Sequence, residues 1–325
     1  MNPGRRLTFE AFMNEALHDP ERGYYARRIM AVGNRGDFTT APMLTHSLGK
    51  AVAAWAASAM RAAGCRNLIE IGPGEGTLAA DVLRYLPWHS RWKTRLHLVD
   101  SSAPLRDKQR AMLGKRAMIH SNICEALRAC DGQAVIYSNE LVDAFPVRRF
   151  QKTIVGWQEL ELEILTNGIR EHLLPVGELP DSTIFTRDFP IGQWVEVHDS
   201  YHKWLREWLP DWKCGRMLTI DYGATTKELY HRQPYGSIRA YLLHSRLTDS
   251  EIYQNIGLQD LTADVNFTDL ISWTTPWCET MGLKTLRDFL HSHSDQTGPN
   301  DTALLDEQGC GNAFMVLNQQ RCGGD

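Results

Sequence analysis

The sequence predicts an α/β protein built on a parallel sheet, and three observations carry that expectation. Short apolar runs of strand length recur at 68–71, 95–100, 117–120 and 134–138; amphipathic stretches separate them; a glycine loop joins the first strand to the helix that follows. Strands alternating with helices imply βαβ crossovers and parallel pairing. The 325 residues, 43% hydrophobic and 23% charged, can bury a core without metal or disulfide staples.

The elements follow in order. Phe9, Phe12, Met13, Ala16 and Leu17 recur at helical spacing over 8–17, and the segment from His18 to Tyr25, with Pro20 and Gly23, interrupts the helix. A glycine-containing loop at 32–42 leads to an alanine-rich helix over 43–62. The strand at 68–71 is followed by a helix over 77–86, and the strand at 95–100 by a helix over 102–113. Residues 147–155, 157–165 and 169–174 read as hairpin strands, with Asn167-Gly168 a strong turn signal. A tryptophan-rich helix is expected over 195–209, a buried strand over 216–223 and an irregular stretch over 230–266. A helix over 267–281 and strands at 283–289 and 313–317 complete the chain.

Charge and cysteine usage narrow the function classes. With 35 basic and 39 acidic residues the formal charge is −4, which argues against a protein whose main task is neutralising phosphates, so no nucleic-acid partner is expected. The seven cysteines form no C-x-x-C pair and no zinc spacing, so no metal is expected and free thiols in a reducing compartment are. No apolar run follows Arg5-Arg6, and the longest apolar stretch, 51–60, is about half of the ~20 residues a span requires. The expectation is a cytoplasmic protein without a membrane span; its oligomeric state is open, a homodimer included.

The chemistry centres on Glu70-Ile71-Gly72-Pro73-Gly74-Glu75-Gly76, between a strand and a helix. The third glycine comes one residue too early for the dinucleotide fingerprint, and no Gly-Lys-Ser/Thr follows, so it is no Walker loop either. A turn flanked by Glu70 and Glu75 suits a cationic ligand without phosphates, and S-adenosyl-L-methionine, with a sulfonium and an ammonium, fits. Asp100 ends the next strand 24 residues after Gly76, near the spacing at which an acid meets ribose hydroxyls. A tight turn packing helix on strand, and a solvated strand end at Asp100, are the structural alternatives.

Further motifs carry a resemblance that runs along most of the chain: 8–13, 18–25, 36–42, the glycine loop with Thr77-Leu78, 99–102, 138–150, 220–223, 239–244 and 260–263. In their order and spacing they resemble the MidA-type methyltransferase family, which includes the mitochondrial protein arginine methyltransferase needed for respiratory complex I assembly. The resemblance implies a Rossmann-like, seven-stranded class I methyltransferase sheet with an N-terminal helical extension and an inserted α+β region. It divides the chain into a lid at 1–65, a discontinuous core at 66–150 and 213–320, an insertion at 151–212 and a 230–266 excursion near the acceptor. The implied activity is methyl transfer from S-adenosyl-L-methionine, leaving S-adenosyl-L-homocysteine, to a protein or peptide arginine nitrogen.

By position, Gly72, Gly74, Gly76 and Glu70 would line the cofactor's methionine end, Asp100 would hold its ribose, and Asn122 would face its adenine. Gly36, Asp37, Thr39 and Thr40 would form a lid, although Gly36-Asp37 also reads as a plain turn. Asn139, Glu140 and Asp143, after the fourth strand, would grip a guanidinium and orient its nitrogen; a helix-capping role is the alternative for Asp143. His244 is a candidate general base beside Tyr241, and a structural loop histidine is the alternative.

The chain departs from the family pattern at Met43 and His46 after the lid motif, and at Asp264 and Asn266, where the family carries His and Asp. His46 and Asp264 are therefore candidates for a relocated acid/base pair. Because these positions frame the acceptor, a methyltransferase for a biosynthetic peptide or small metabolite is a second reading. A non-catalytic assembly protein retaining the cofactor fold is a third.

Overall fold

The computed structural model describes residues 4–27, 46–242, 245–293, 302–306 and 309–322. In chain order the elements are β1 (Arg6–Thr8), α1 (Phe9–His18), α2 (Ser47–Ala63), β2 (Asn67–Ile71), α3 (Thr77–Tyr85), α4 (Trp88–Arg91), β3 (Arg95–Val99), α5 (Ala103–Leu113), β4 (Ala117–His120), α6 (Ile123–Ala129) and β5 (Val135–Asn139). There follow β6 (Arg148–Thr153), β7 (Gly156–Leu165), β8 (Gly168–Pro175), β9 (Trp194–Val197), α7 (Asp199–Trp208), β10 (Arg216–Ala224), α8 (Thr226–Arg232), β11 (Arg239–Leu242), β12 (Ser245–Leu247), β13 (Asp260–Thr262) and β14 (Val265–Asn266). The last are α9 (Phe267–Thr274), β15 (Cys278–Thr285), α10 (Leu286–His293) and β16 (Phe314–Arg321).

The chain divides into two compact units, one of Met1–Phe38, Val142–Trp204 and Gly223–Trp273, the other of Thr39–Leu141, Leu205–Tyr222 and Thr274–Asp325. The second holds the large sheet, whose path is β15-β16-β10-β5-β2-β3-β4. Strands β4, β3, β2, β5 and β10 are parallel, while β16 runs antiparallel between β10 and β15. The order reverses direction at β2, which lies between β3 and β5, and the loop leaving β2 therefore opens at the topological switch point, where sheets of this kind bind ligands. The buried faces of β2 and β5 supply Leu68, Val135 and Tyr137 to a core completed by Leu48, Val52 and Trp55 of α2 and Leu78 and Val82 of α3. Helices α2 and α3 pack so closely at Gly49 that a Cβ there would lie 2.5 Å from the Cβ of Asp81.

The first unit is built on antiparallel pairing. Strand β7 pairs with β1, β6 and β8, and β6 also with β9. Helix α1, capped by Thr8 Oγ1 accepting from the Ala11 N–H at 3.2 Å, buries Phe9, Phe12, Met13, Ala16 and Leu17 in a core with Leu160, Leu162, Ile238 and Leu261. The expected hairpins at 147–174 are present, with Leu165 opposite Gly168 at the second turn.

Three expectations differ from the structure. Residues Trp194–Val197 form β9 rather than the start of a helix, because Val195 and Val197 face the core while Glu196 lies opposite Arg149. Helix α9 stops at Thr274: Pro276 pushes the residue before it out of the helical region, so 278–285 becomes strand β15 and 286–293 a helix. The 230–266 stretch contains a three-stranded sheet, β12-β11-β13. Helix α2 packs with the large sheet, and 223–273 packs with α1 and the hairpins.

Candidate active site

The loop after β2 needs its glycines. Gly72, Gly74 and Gly76 have φ of 67°, 55° and 92°, in the left-handed region that side chains resist. A Cβ on Gly72 would lie 2.8 Å from Leu141 Cδ1, whereas one on Gly74 would meet nothing within 4 Å, so the backbone there faces open space. The turn is closed by the Gly76 N–H donating to Pro73 O at 2.8 Å, and Gly76 then starts α3.

Asp100 follows β3 and is 8% exposed. Its Oδ1 accepts from the Ser102 N–H and its Oδ2 from Gln109 Nε2, each at 2.9 Å; the same Nε2 donates to Gly74 O at 2.7 Å. Gln109 thus staples the glycine loop to the acid. Burial nevertheless pushes the Asp100 carboxyl up to about 6. A buried carboxylate beside a loop of exposed backbone suits a ligand offering hydroxyls.

The flanking acids behave differently from expectation. Glu70 is buried, accepts the Tyr137 hydroxyl at 2.7 Å, and is pushed by burial up to about 8, which favours its neutral form at neutral pH. Glu75 is paired with Lys108 Nζ at 2.7 Å. The three acids around the loop thus differ: Glu75 is ion-paired, while burial pushes Glu70 up to about 8 and Asp100 up to about 6. Asn122 caps α6: its Oδ1 accepts from the Glu125 N–H at 3.0 Å and its Nδ2 donates to Ser121 Oγ at 3.1 Å. Gly36, Asp37, Thr39, Thr40, Met43 and His244 lie outside the described residues.

At the carboxyl end of β5, Asn139 Nδ2 donates to Glu140 Oε1 at 3.0 Å, while the buried Asn139 Oδ1 meets no protein donor. Glu140 has φ of 52°, one of three non-glycine residues in the left-handed region among the described residues. Such strain persists only where surrounding contacts over-determine it. Those contacts are the Glu140 N–H to Ile220 O at 2.9 Å and the Leu141 N–H to Asp221 Oδ2 at 3.1 Å, with Asp221 itself fully buried at the end of β10. Asp221 thus pins the strained turn.

Asp143 belongs to a cluster in the first unit. Burial pushes its carboxyl up to about 6; the Arg239 guanidinium opposes that shift and the Asp264 carboxylate adds to it. Arg239 Nη1 donates to Asp264 Oδ1, and its Nε to Tyr241 Oη at 3.0 Å. The Tyr25 hydroxyl donates to Asp260 Oδ1 at 3.2 Å. Arg239 is thus the guanidinium whose charge acts on Asp143. The departures have local explanations. Asn266 accepts from Thr226 Oγ1 at 2.9 Å and from the Thr268 N–H at 3.1 Å, a helix-capping task that Asn and Asp share. His46 Nδ1 lies 2.7 Å from Asp81 Oδ2, so His46 and Asp264 each have a partner within their own unit.

Comparison with known proteins agrees with this geometry. Residues 51–286 match the family described as "Putative S-adenosyl-L-methionine-dependent methyltransferase". The chain is similar to the mitochondrial protein arginine methyltransferase NDUFAF7 of Homo sapiens, 31% identical over 299 residues, which cover 81% of this chain and 64% of that protein. The Xenopus tropicalis counterpart is 29% identical over 293 residues, 80% of this chain and 66% of that protein; the chain thus spans about two thirds of these relatives' length. A crystal structure from Burkholderia thailandensis, bound to S-adenosyl-homocysteine, superposes with a TM-score of 0.86 at 26% identity, covering 98% of this chain and 88% of that one. An α/β fold with a glycine loop stapled to a buried acid, matched along most of its length, belongs to the family of S-adenosyl-L-methionine-dependent methyltransferases.

Proposed function

We propose that the chain transfers a methyl group from S-adenosyl-L-methionine to an arginine nitrogen of a protein or peptide. The observation that carries the reading is the open Gly74 backbone joined through Gln109 to buried Asp100 at the switch point of the sheet. We read the seven-strand path as the Rossmann-like sheet of class I methyltransferases. The sheet unit is assigned to cofactor binding, with Gly72, Gly74 and Gly76 along the methionine portion and Asp100 accepting the ribose hydroxyls. The first unit is assigned to acceptor choice. The arginine assignment rests on the relatives named as protein arginine methyltransferases.

When bound, the cofactor supplies an electrophilic methyl on a sulfonium sulfur and leaves as S-adenosyl-L-homocysteine. The chain's residues do the rest. With Glu70 neutral and Glu75 paired, the loop holds a cation without excess negative charge. Asn139 Oδ1, buried and without a protein donor, accepts one N–H of the acceptor nitrogen, and the Glu140 carboxylate takes a second. A guanidinium, with a pKa above ~12, is a poor nucleophile until such bonds polarise it; as the N–C bond forms and the S–C bond breaks, the displaced proton passes to the Glu140 carboxylate. Fixing it in line with the methyl supplies most of the acceleration through orientation. Asp143 is held in the first unit's charged cluster, where the Arg239 guanidinium favours its ionised form. The free thiols fit a cytoplasmic-type compartment, although the relatives are named as mitochondrial.

The test is incubation with methyl-labelled cofactor and a lysate separated into protein and small-molecule fractions. The expected result is label in protein, recovered as methylarginine after hydrolysis. Label confined to small molecules refutes the arginine acceptor; none in either fraction refutes catalysis.

A further inference from the structure

We infer that the amino edge of the large sheet is a docking surface for an anionic phospholipid bilayer. Parallel strands bring their amino ends to one edge. There Arg66 precedes β2, Arg95 opens β3 and Arg116 precedes β4. The Arg95 N–H donates to Arg66 O at 2.8 Å and Leu96 pairs with Ala117, so the three arginines sit on laterally adjacent strands. Arg91, Lys93 and Lys115 flank them, and all six are exposed.

No acid occurs at 82–99 or at 108–124. Asp107, at the border, is paired with Arg110 at 2.6 Å, and Asp131 lies on the approach to β5. In a chain of formal charge −4 this is a concentrated excess of positive charge. The carboxyl edge of the sheet carries Asp100 and Glu140, with Glu75 neutralised by Lys108, so positive charge is concentrated at the amino edge. An anionic plane attracts the amino edge and leaves the glycine loop facing away from it.

The second observation concerns tryptophan. Trp88 and Trp92, on and just after α4, are 73% and 79% exposed, whereas Trp208 and Trp212 of the same unit are fully buried. Indoles so exposed have no groove wall beside them, which disfavours a peptide cleft. They suit a soft, flat interface in which rings sit at headgroup level among basic side chains. No helix among the described residues is long and apolar enough to cross a membrane, so the contact is peripheral.

Co-sedimentation with phosphatidylcholine vesicles, with and without phosphatidylglycerol, tests the inference on the full chain. Each basic side chain near an anionic surface is worth about fivefold in partition. The wild type is expected to partition onto the anionic vesicles at least about tenfold better than onto neutral ones, and to be released by salt. Arg91→Glu/Lys93→Glu/Arg116→Glu is expected to lose roughly a hundredfold or more, and Trp88→Ser/Trp92→Ser to weaken binding further at high salt than at low. Calorimetry with S-adenosyl-homocysteine, unchanged in both variants, shows that the fold is intact. Equal partition onto neutral vesicles, no partition onto either, or binding kept by the charge-reversed variant overturns the inference. Binding of a single-stranded RNA oligonucleotide without vesicle binding overturns it in favour of a stacking surface for nucleic acid.

Discussion

Replacing Gly74 by alanine separates backbone strain from ligand contact, because the structure contains a matched control. Gly74 has φ of 55° and Gly64, the C-cap of α2, has φ of 64°; a Cβ at either meets no heavy atom within 4 Å. Each substitution therefore places a side chain in the left-handed region without a clash, at a cost of about 1 kcal/mol. For a chain of this length that is a fall in melting temperature of about 2 °C, the same for both. Only Gly74 borders the space assigned to the cofactor. Gly74→Ala is expected to weaken S-adenosyl-homocysteine binding about tenfold or more, equivalent to ~1.4 kcal/mol, and Gly64→Ala to leave it within about twofold. Scanning fluorimetry reads the first quantity and calorimetry the second. Wild-type affinity in Gly74→Ala, or an equal loss in Gly64→Ala, would refute the assignment of the loop.

Asp100, raised to about 6 by burial, binds its proton more tightly folded than unfolded, so it adds stability as pH falls from about 6 towards about 4 and none above that window. Asp100→Asn should therefore raise the melting temperature of the ligand-free protein at neutral pH while abolishing cofactor binding, and wild-type affinity should decline below about pH 6; calorimetry across pH checks both. Glu140→Gly relieves the positive φ and should stabilise the chain by about 1 kcal/mol while reducing turnover about a hundredfold; chemical denaturation and a methyl-transfer assay measure the trade. Glu140→Gln should lose turnover with S-adenosyl-homocysteine affinity kept. Asp264→Ala leaves the Arg239 charge buried and should cost about 3 kcal/mol in denaturant unfolding, more than either Asn266→Asp or His46→Ala.

How much of the site was legible depended on whether its signals were local. Three glycines between an apolar strand and an amphipathic helix, and an acid ending the next strand, mark a ligand loop wherever the chain folds that way, since positive φ and strand length are properties of short segments. Gln109 carries no signal in the sequence: it is an ordinary helix residue until the crossover after β3 brings α5 against the loop. Asp221 lies within the 220–223 motif, yet its task of holding the turn at Glu140 exists only because β10 pairs with β5. The state of Glu70 was equally hidden, because its neutrality follows from burial beside Tyr137 of a neighbouring strand.

The sequence by itself determined the class of fold and the family, for those rest on periodicity and on motifs read in order. Tertiary structure decided which acids keep their charge, what pins the strained turn, and where positive charge accumulates. Arg66, Arg95 and Arg116 lie far apart along the chain and look like scattered surface residues. Parallel pairing of β2, β3 and β4 places them on one edge, because strand order, set by long-range packing, has no counterpart in any short stretch of sequence.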